Sequence, residues 1–306
     1  MSELSPEIID RPEAQRAMRL ASYASVSVAL VLIIAKTSAW LATDSIAVLS
    51  SLIDSLLDAV ASIVTLVAIR HSLQPADREH RFGHGKVEAL AALAQSAFIV
   101  GSAVLLLFEA GARLLAPRAV SHGHIAIYVM VFSIVLTFAL VLFQRWAIKK
   151  SGSVAISADS LHYKGDLLMN AAVIAAILIV TELGWVFADP IFGAAIAAYI
   201  IWSAYLIVRN SLDMLMDREL PDDERQKIRG IALEHEEVEA VHDLRTRQSG
   251  LTYFIQLHLE MDGDMNLLQA HEIADEVELA LMEAYPGAEI IIHQDPAGVE
   301  EPPQFR

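Results

Sequence analysis

Six apolar stretches, at roughly 20–42, 46–70, 87–115, 123–147, 154–181 and 186–209, dominate the first two thirds of the chain. Each is long enough to cross a hydrocarbon core, which takes about 20 predominantly apolar residues in a helix. Lipid offers no partner to a backbone amide, so a spanning segment must be a helix or a strand of a closed barrel. The hydrophobicity here is continuous and not alternating, which selects helices. The first stretch follows an acidic, polar run of about 19 residues and is too long for a cleaved leader, so all six are expected to stay as spans. Across the 306 residues, 55% are hydrophobic and the mean hydropathy is +0.46, beyond the range of a soluble domain.

Near residue 210 the composition turns soluble. Charge divides at the same place: residues 217–306 carry 22 acidic and 7 basic side chains, whereas residues 1–216 carry 16 and 15. An acidic soluble part argues against nucleic acid as a partner, because phosphate demands the opposite sign. Basic residues also mark one side of the membrane. Arg11, Arg16 and Arg19, then Arg70, Arg78, Arg81 and Lys86, then Arg145, Lys149 and Lys150, and finally Arg209 and Arg218 flank one set of ends. The opposite loops hold only Arg113 and Arg118. The positive-inside rule places both termini and the C-terminal part in the cytoplasm.

The apolar stretches contain charges that a bilayer penalises. Asp54 and Asp58 lie four residues apart on one face of the second helix. His162 and Asp166 repeat that spacing on the fifth helix, with Asp159 one turn earlier. Brought together, the two pairs offer three carboxylates and an imidazole, a donor set suited to a tetrahedral divalent cation such as Zn²⁺. With no cysteine in the chain, thiolate sites and disulfides are excluded. The bland alternative is a buried ion-pair network with Lys36 and Lys164, but two lysines do not balance the carboxylates, and ionisable groups inside membranes are functional by default. Asp159 reads either as a residue orienting a ligand or as one that meets water near the end of its helix. Glu109 and Arg113 read as an interfacial ion pair, and Asp44 falls in a short outer loop.

Two further clusters lie outside the spans. Asp77, His80 and His84, in PADREHRFGHGK, have the spacing of a second cation site, with Gly83 and Gly85 easing the turn. The C-terminal part reads as αββαβ, a small open sheet with helices on one face, and holds His242, His258, His271, His293 and Asp295. These suggest one or two metal sites there.

DSLLD, SLHYKGD, RFGHGKVEALAALAQS, HDLRTRQSG and IIHQDP, in that order, resemble the cation diffusion facilitator family, and in particular its bacterial ferrous-iron and zinc efflux branch. The resemblance spans residues 15 to 297. It implies a homodimeric antiporter that exchanges divalent cations for protons in the lipid bilayer, with no catalytic residues. The expected organisation is an α-helical membrane protein: a cytoplasmic tail (1–19), six transmembrane helices (20–209), a cytoplasmic metallochaperone-like α/β domain (210–297) and a short tail (298–306). By position, Asp54, Asp58, His162 and Asp166 match the family's membrane site, and Asp77, His80 and His84 its loop site. His242, His258, His271, His293 and Asp295 match a cytoplasmic binuclear site, with Asp295 bridging. Lys86 and Asp217 match a salt bridge between domains. Arg78 stands where some relatives carry an acidic residue or a histidine.

Metal binding needs deprotonated ligands, so it expels protons, and His162 with Asp58 is the natural place for the exchange. Alternating exposure of the site requires helices to rock, which small residues on the third and sixth helices permit. The donor set accepts Zn²⁺, Cd²⁺, Fe²⁺ or Mn²⁺. Rival readings are a channel or sensor without proton coupling. An enzyme is disfavoured, since HEIAD lacks the second histidine of a zinc-protease helix, and no phosphate-binding loop supports ATP-driven pumping.

Overall fold

The protein is described by a computed structural model covering residues 11–43, 46–115, 124–183 and 187–299. Two compact units divide at Leu212 and Asp213. The first is built from α1 (Arg11–Thr43), α2 (Ile46–Ser72), α3 (Val87–Leu115), α4 (His124–Ser151), α5 (Val154–Leu183) and most of α6 (Ala188–Leu215). Five of these helices, α1 to α4 and α6, are long and apolar enough to cross a membrane. α5 is as long, but concentrates Asp159, Lys164 and Asp166 in its first half.

The bundle is apolar outside and small-residue inside. Leu30, Ile34, Val67, Leu105, Phe108 and Trp202 project outward, as lipid demands, while Ala29, Ala103, Ala197 and Ala204 are buried at contacts between helices. α5 is the hub, packing against α2, α3 and α4. Gly165 lets α5 approach α6, since a Cβ there would stand 3.0 Å from Ile200 Cδ1. The start of α5 is also fixed. Buried Glu88 of α3 accepts hydrogen bonds from the Ser153 hydroxyl and, at 3.4 Å, the Ala155 amide, placing a carboxylate at the helix N-terminus.

α1 begins well before its apolar stretch. Ala14, Ala17, Met18 and Ala21 are fully buried at i, i+3, i+4 and i+7 spacing, so a helical stripe runs through residues that read as a charged tail. α6 likewise continues to Leu215, past the apolar stretch. Asp44 and the side chain of Arg113 lie outside the described residues.

The second unit follows the order α7 (Asp222–Leu233), β1 (Ala240–Ser249), β2 (Thr252–Met261), α8 (Leu267–Ala284), β3 (Glu289–Pro296). The sheet order is β1-β2-β3, with β1 antiparallel and β3 parallel to β2. A tight turn at Gly250, with φ +60, joins β1 to β2. Asn266 caps α8 in a reciprocal box with Gln269. Ile255, Leu257 and Leu259 of β2 pack with Ile273, Val277 and Leu281 of α8 to form the core. The alternate residues Gln256, His258 and Glu260 therefore face away from it.

α7 is tied to α8 by a buried polar pair. Tyr285 Oη donates to Glu224 Oε2 at 2.5 Å. Burial and this hydrogen bond push the phenol well above its usual range, so the donor persists wherever the protein is folded. Tyr285→Phe leaves Glu224, 6% exposed, without its donor. The expected cost is about 1–3 kcal/mol. Amide exchange across α7 and α8 should accelerate accordingly, and unchanged protection in hydrogen-exchange mass spectrometry would contradict the assignment.

Candidate metal centres

The membrane centre lies where α2 meets α5. Asp58 Oδ1 stands 2.6 Å from His162 Nε2, and Asp166 Oδ2 4.0 Å from the same nitrogen. Ligand atoms of the three residues fall within 4.8 Å of one another. The Asp58 and His162 side chains are largely buried, while Asp166 is 40% exposed. Asp54, one turn earlier on α2, lines the same cavity of about 200 Å³ together with Ser102, Gly165 and Met169, but lies outside the close group of three. Phe98 and Tyr163 flank the His162 ring at 6.1 and 5.9 Å. The arrangement is rich in acceptors and poor in cations.

Lys36 acts on Asp54, Asp58 and Asp166 through space and not by direct contact. Its Nζ donates to Ser55 Oγ at 2.6 Å and to the Ser51 carbonyl at 3.1 Å, tying α1 to α2. The ion-pair alternative raised by the sequence therefore lacks a direct contact between Lys36 and a carboxylate among the described residues.

Asp159 behaves as neither sequence expectation supposed. It is 1% exposed, so it does not meet water, and its hydrogen bonds lead away from His162. Gln144 Nε2 donates to Oδ2 at 2.7 Å, while Gln95 Nε2 and Ser62 Oγ reach Oδ1 at 3.2 and 3.3 Å. Gln144 Nε2 also lies 3.0 Å from Ser25 Oγ, and Thr65 Oγ1 donates to Gln95 Oε1. Ser62 Oγ stands 2.9 Å from Tyr163 Oη. One carboxylate thus joins α1 to α5. Sequence reasoning passed over Gln95 and Gln144, although an amide in a spanning helix is itself a signal for such a partner.

In the loop, Asp77 Oδ1 accepts from the amides of Glu79 and His80 at 2.9 and 2.6 Å. These bonds, led by that of His80, hold its carboxyl below the usual range. His80 Nδ1 and His84 Nε2 stand 3.4 and 3.3 Å from the two Asp77 oxygens. Gly83, at φ +77, donates to the His80 carbonyl at 2.9 Å and turns His84 inward.

In the sheet, strand register builds the third centre. His242 pairs with His258, and His258 with His293, so three imidazoles form one row across β1, β2 and β3. Asp295, two residues beyond His293, reaches all three: 3.4 Å from His242 Nε2, 2.7 Å from His258 Nδ1 and 3.2 Å from His293 Nε2. A bulge after His242, where Asp243 adopts φ +44, brings Asp243 within 3.7 Å of His258 Nε2. His271 is not drawn into this row; it is exposed on α8, its Nδ1 3.5 Å from Asp275. Asp217 pairs with Arg247 at 3.4 Å within its own domain, and Lys86 immediately precedes α3 in the other.

Fold and sites together define a polytopic membrane protein carrying metal-type donors and a small α/β domain with a three-stranded sheet. Residues 22–216 match the cation efflux transmembrane domain, and residues 220–297 the cytoplasmic domain of cation efflux proteins. The chain is 52% identical to the cation-efflux pump FieF of Shewanella oneidensis over 283 residues, 92% of this chain and 95% of that protein. It is 47% identical to FieF of Pectobacterium carotovorum over 285 residues, covering 93% and 95% of the two. The solved metal-bound C-terminal domain of the CzcD transporter from Thermotoga maritima covers 27% of this chain and 100% of its own, at 26% identity and a TM-score of 0.25. This chain belongs to the cation efflux, or cation diffusion facilitator, family, and is a cation-efflux transporter and not an enzyme.

Gln144→Leu leaves Asp159 one donor short in the middle of the bundle. Losing such a donor costs about 1–3 kcal/mol, so thermal unfolding of the detergent-solubilised protein should shift several degrees lower. An unshifted melting curve would show that the network does not hold the helices together.

Proposed function

We propose that this transporter exports Zn²⁺, with Cd²⁺ and Fe²⁺ as further substrates, from the cytoplasm in exchange for protons. The observation that carries the reading is the meeting of Asp58, His162 and Asp166 in one cavity between α2 and α5, with no lysine or arginine paired to them among the described residues. A divalent cation supplies the missing positive charge, and so do protons. Cation entry displaces the proton shared at His162 and Asp58, because a metal ligand must be deprotonated. On the opposite side, protons return to the same atoms and release the cation. Asp54, one turn away along α2, is the fourth donor when the helices shift. Exchange needs the cavity to face one side at a time.

The reading places the protein as a homodimer in a bacterial inner membrane, with both termini and the α/β domain in the cytoplasm, as the basic residues beside the spans indicate. Asp77, His80 and His84 form a loop site. The His242, His258, His293 and Asp295 row, with His271 on α8, serves a cytoplasmic binuclear site in which Asp295 bridges. Cytoplasmic metal biases transport only if it binds one conformation more tightly than the other.

Proteoliposomes test the central claim. Zn²⁺ flux should follow an imposed pH gradient and fall at least a hundredfold in Asp58→Ala. Flux indifferent to the gradient would indicate a channel, and a fully active Asp58→Ala would make the cluster structural. At the loop, a carboxyl held below its usual range is ionised throughout pH 5.5–7.5. Asp77→Asn should therefore weaken Zn²⁺ binding there by the same factor at both ends of that window, read by calorimetry in an Asp58→Ala/Asp295→Ala background. An effect that fades as pH falls would mean Asp77 titrates with the histidines.

A further inference from the structure

We propose that His71 supplies a fourth ligand to the loop site, so that α2's last turn and the loop enclose one tetrahedral cation of the Zn²⁺ class. The inference rests on the reading of Asp77, His80 and His84 as a metal site. It adds a residue that spacing alone does not reach, since Pro75 and the end of α2 separate His71 from the rest.

The geometry centres on His84. Its ring lies 4.7 Å from that of His71 and 4.6 Å from that of His80, centroid to centroid. Two imidazoles bound to one tetrahedral ion through Zn–N bonds of about 2.0–2.1 Å have centroids about 5 Å apart. The His71–His84 separation is thus close to that of His80–His84, the pair grouped with Asp77; the His71 nitrogens lie outside that close group and would have to turn toward it to bind. His84 is 7% exposed, and its Nδ1 is buried without a hydrogen-bond partner, while Nε2 stands 3.3 Å from Asp77. Nε2, the nitrogen turned toward Asp77, is the one that binds the shared cation, and Nδ1 points away from it on the opposite edge of the ring. Position also favours the arrangement. The Gln74 amide donates to the His71 carbonyl at 3.0 Å, closing the turn that ends α2 just past His71, and the Gly83 turn returns His84 to that point.

Three imidazoles and one carboxylate form a closed, nitrogen-rich set. Such sets retain borderline-soft ions such as Zn²⁺ and Cd²⁺ and discriminate against Mn²⁺, which prefers oxygen donors. A four-ligand site has no open position for exchange and acts structurally. The cation would clamp residues 73–86 to the end of α2 and would not join the flux through the membrane centre.

Co²⁺ titration of the full chain in detergent tests this, with the other two centres disabled by Asp58→Ala, Asp166→Ala and Asp295→Ala. Tetrahedral Co²⁺ absorbs visible light far more strongly than six-coordinate Co²⁺. The parent should bind one Co²⁺ per chain with the intense tetrahedral spectrum. His71→Phe keeps an aromatic ring against His84 but removes the nitrogen; the spectrum should lose most of its intensity, and competing Zn²⁺ should bind at least tenfold more weakly. His71→Gln should behave likewise. If both variants keep the parent's spectrum and affinity while His80→Ala abolishes them, the site has three protein ligands and the proposal fails alone. If His80→Ala also changes nothing, the loop holds no cation and the underlying reading falls with it.

Discussion

A carboxylate removed from water must share its charge with something, and α5 meets that demand in two different ways along one stripe. Asp159 and Asp166 lie two turns apart, so they point to the same side of the helix. Around Asp159 the neighbours are neutral donors: two glutamine amides and a serine hydroxyl. Those bonds satisfy the oxygens without a cation, and they gather four helices while doing so, with Ser25 of α1 joined through Gln144. Around Asp166 the nearest partner is His162, already 2.6 Å from Asp58. Two acidic side chains share one imidazole there, with Asp54 one turn away along α2. The first environment is complete as it stands, whereas on the proposed reading the second is completed by protons or a metal ion. Structural and, on that reading, exchangeable charge are thus separated by about 10 Å of helix.

This contrast explains what the sequence could and could not disclose. The spans were legible because hydrophobic length is a local property. Spacing of four put Asp54 with Asp58, and His162 with Asp166, on their own helix faces. It could not say that Gln95, Gln144 and Ser62, from three other helices, converge on Asp159, because that depends on how the helices pack. Hydropathy also hid the first turns of α1. Ala14, Ala17, Met18 and Ala21 form a buried stripe, but they sit among Glu13, Arg16 and Arg19, and the average conceals them.

The α/β domain shows the same division. Alternation along β2 assigned Leu257 and Leu259 to a core and His258 to the other face, and the αββαβ order followed from the pattern. What could not be read was register. His242, His258 and His293 are far apart in sequence, and only pairing across three strands sets them in one row. A slip of one residue would turn an imidazole into the core. His271 lacks such a constraint. It lies on the exposed side of α8, whose Ile273, Val277 and Leu281 hold the opposite face of the sheet.

Donor chemistry separates the centres further on the proposed reading. The membrane centre offers mostly carboxylate oxygens, with an exposed Asp166 and a second aspartate one turn away. Oxygen donors discriminate weakly among divalent ions, and an incomplete shell releases its ion readily. The loop and the sheet offer mostly imidazoles, anchored on a turn fixed by Gly83 and on paired strands. Nitrogen-rich sets on rigid backbone hold an ion longer and select more sharply. Long retention and ready release are opposed in a single site, so on this reading the two kinds of centre divide them. Distributing them lets the membrane centre stay weak and exchangeable while selectivity for the ion that triggers or stabilises the active form resides outside the bilayer.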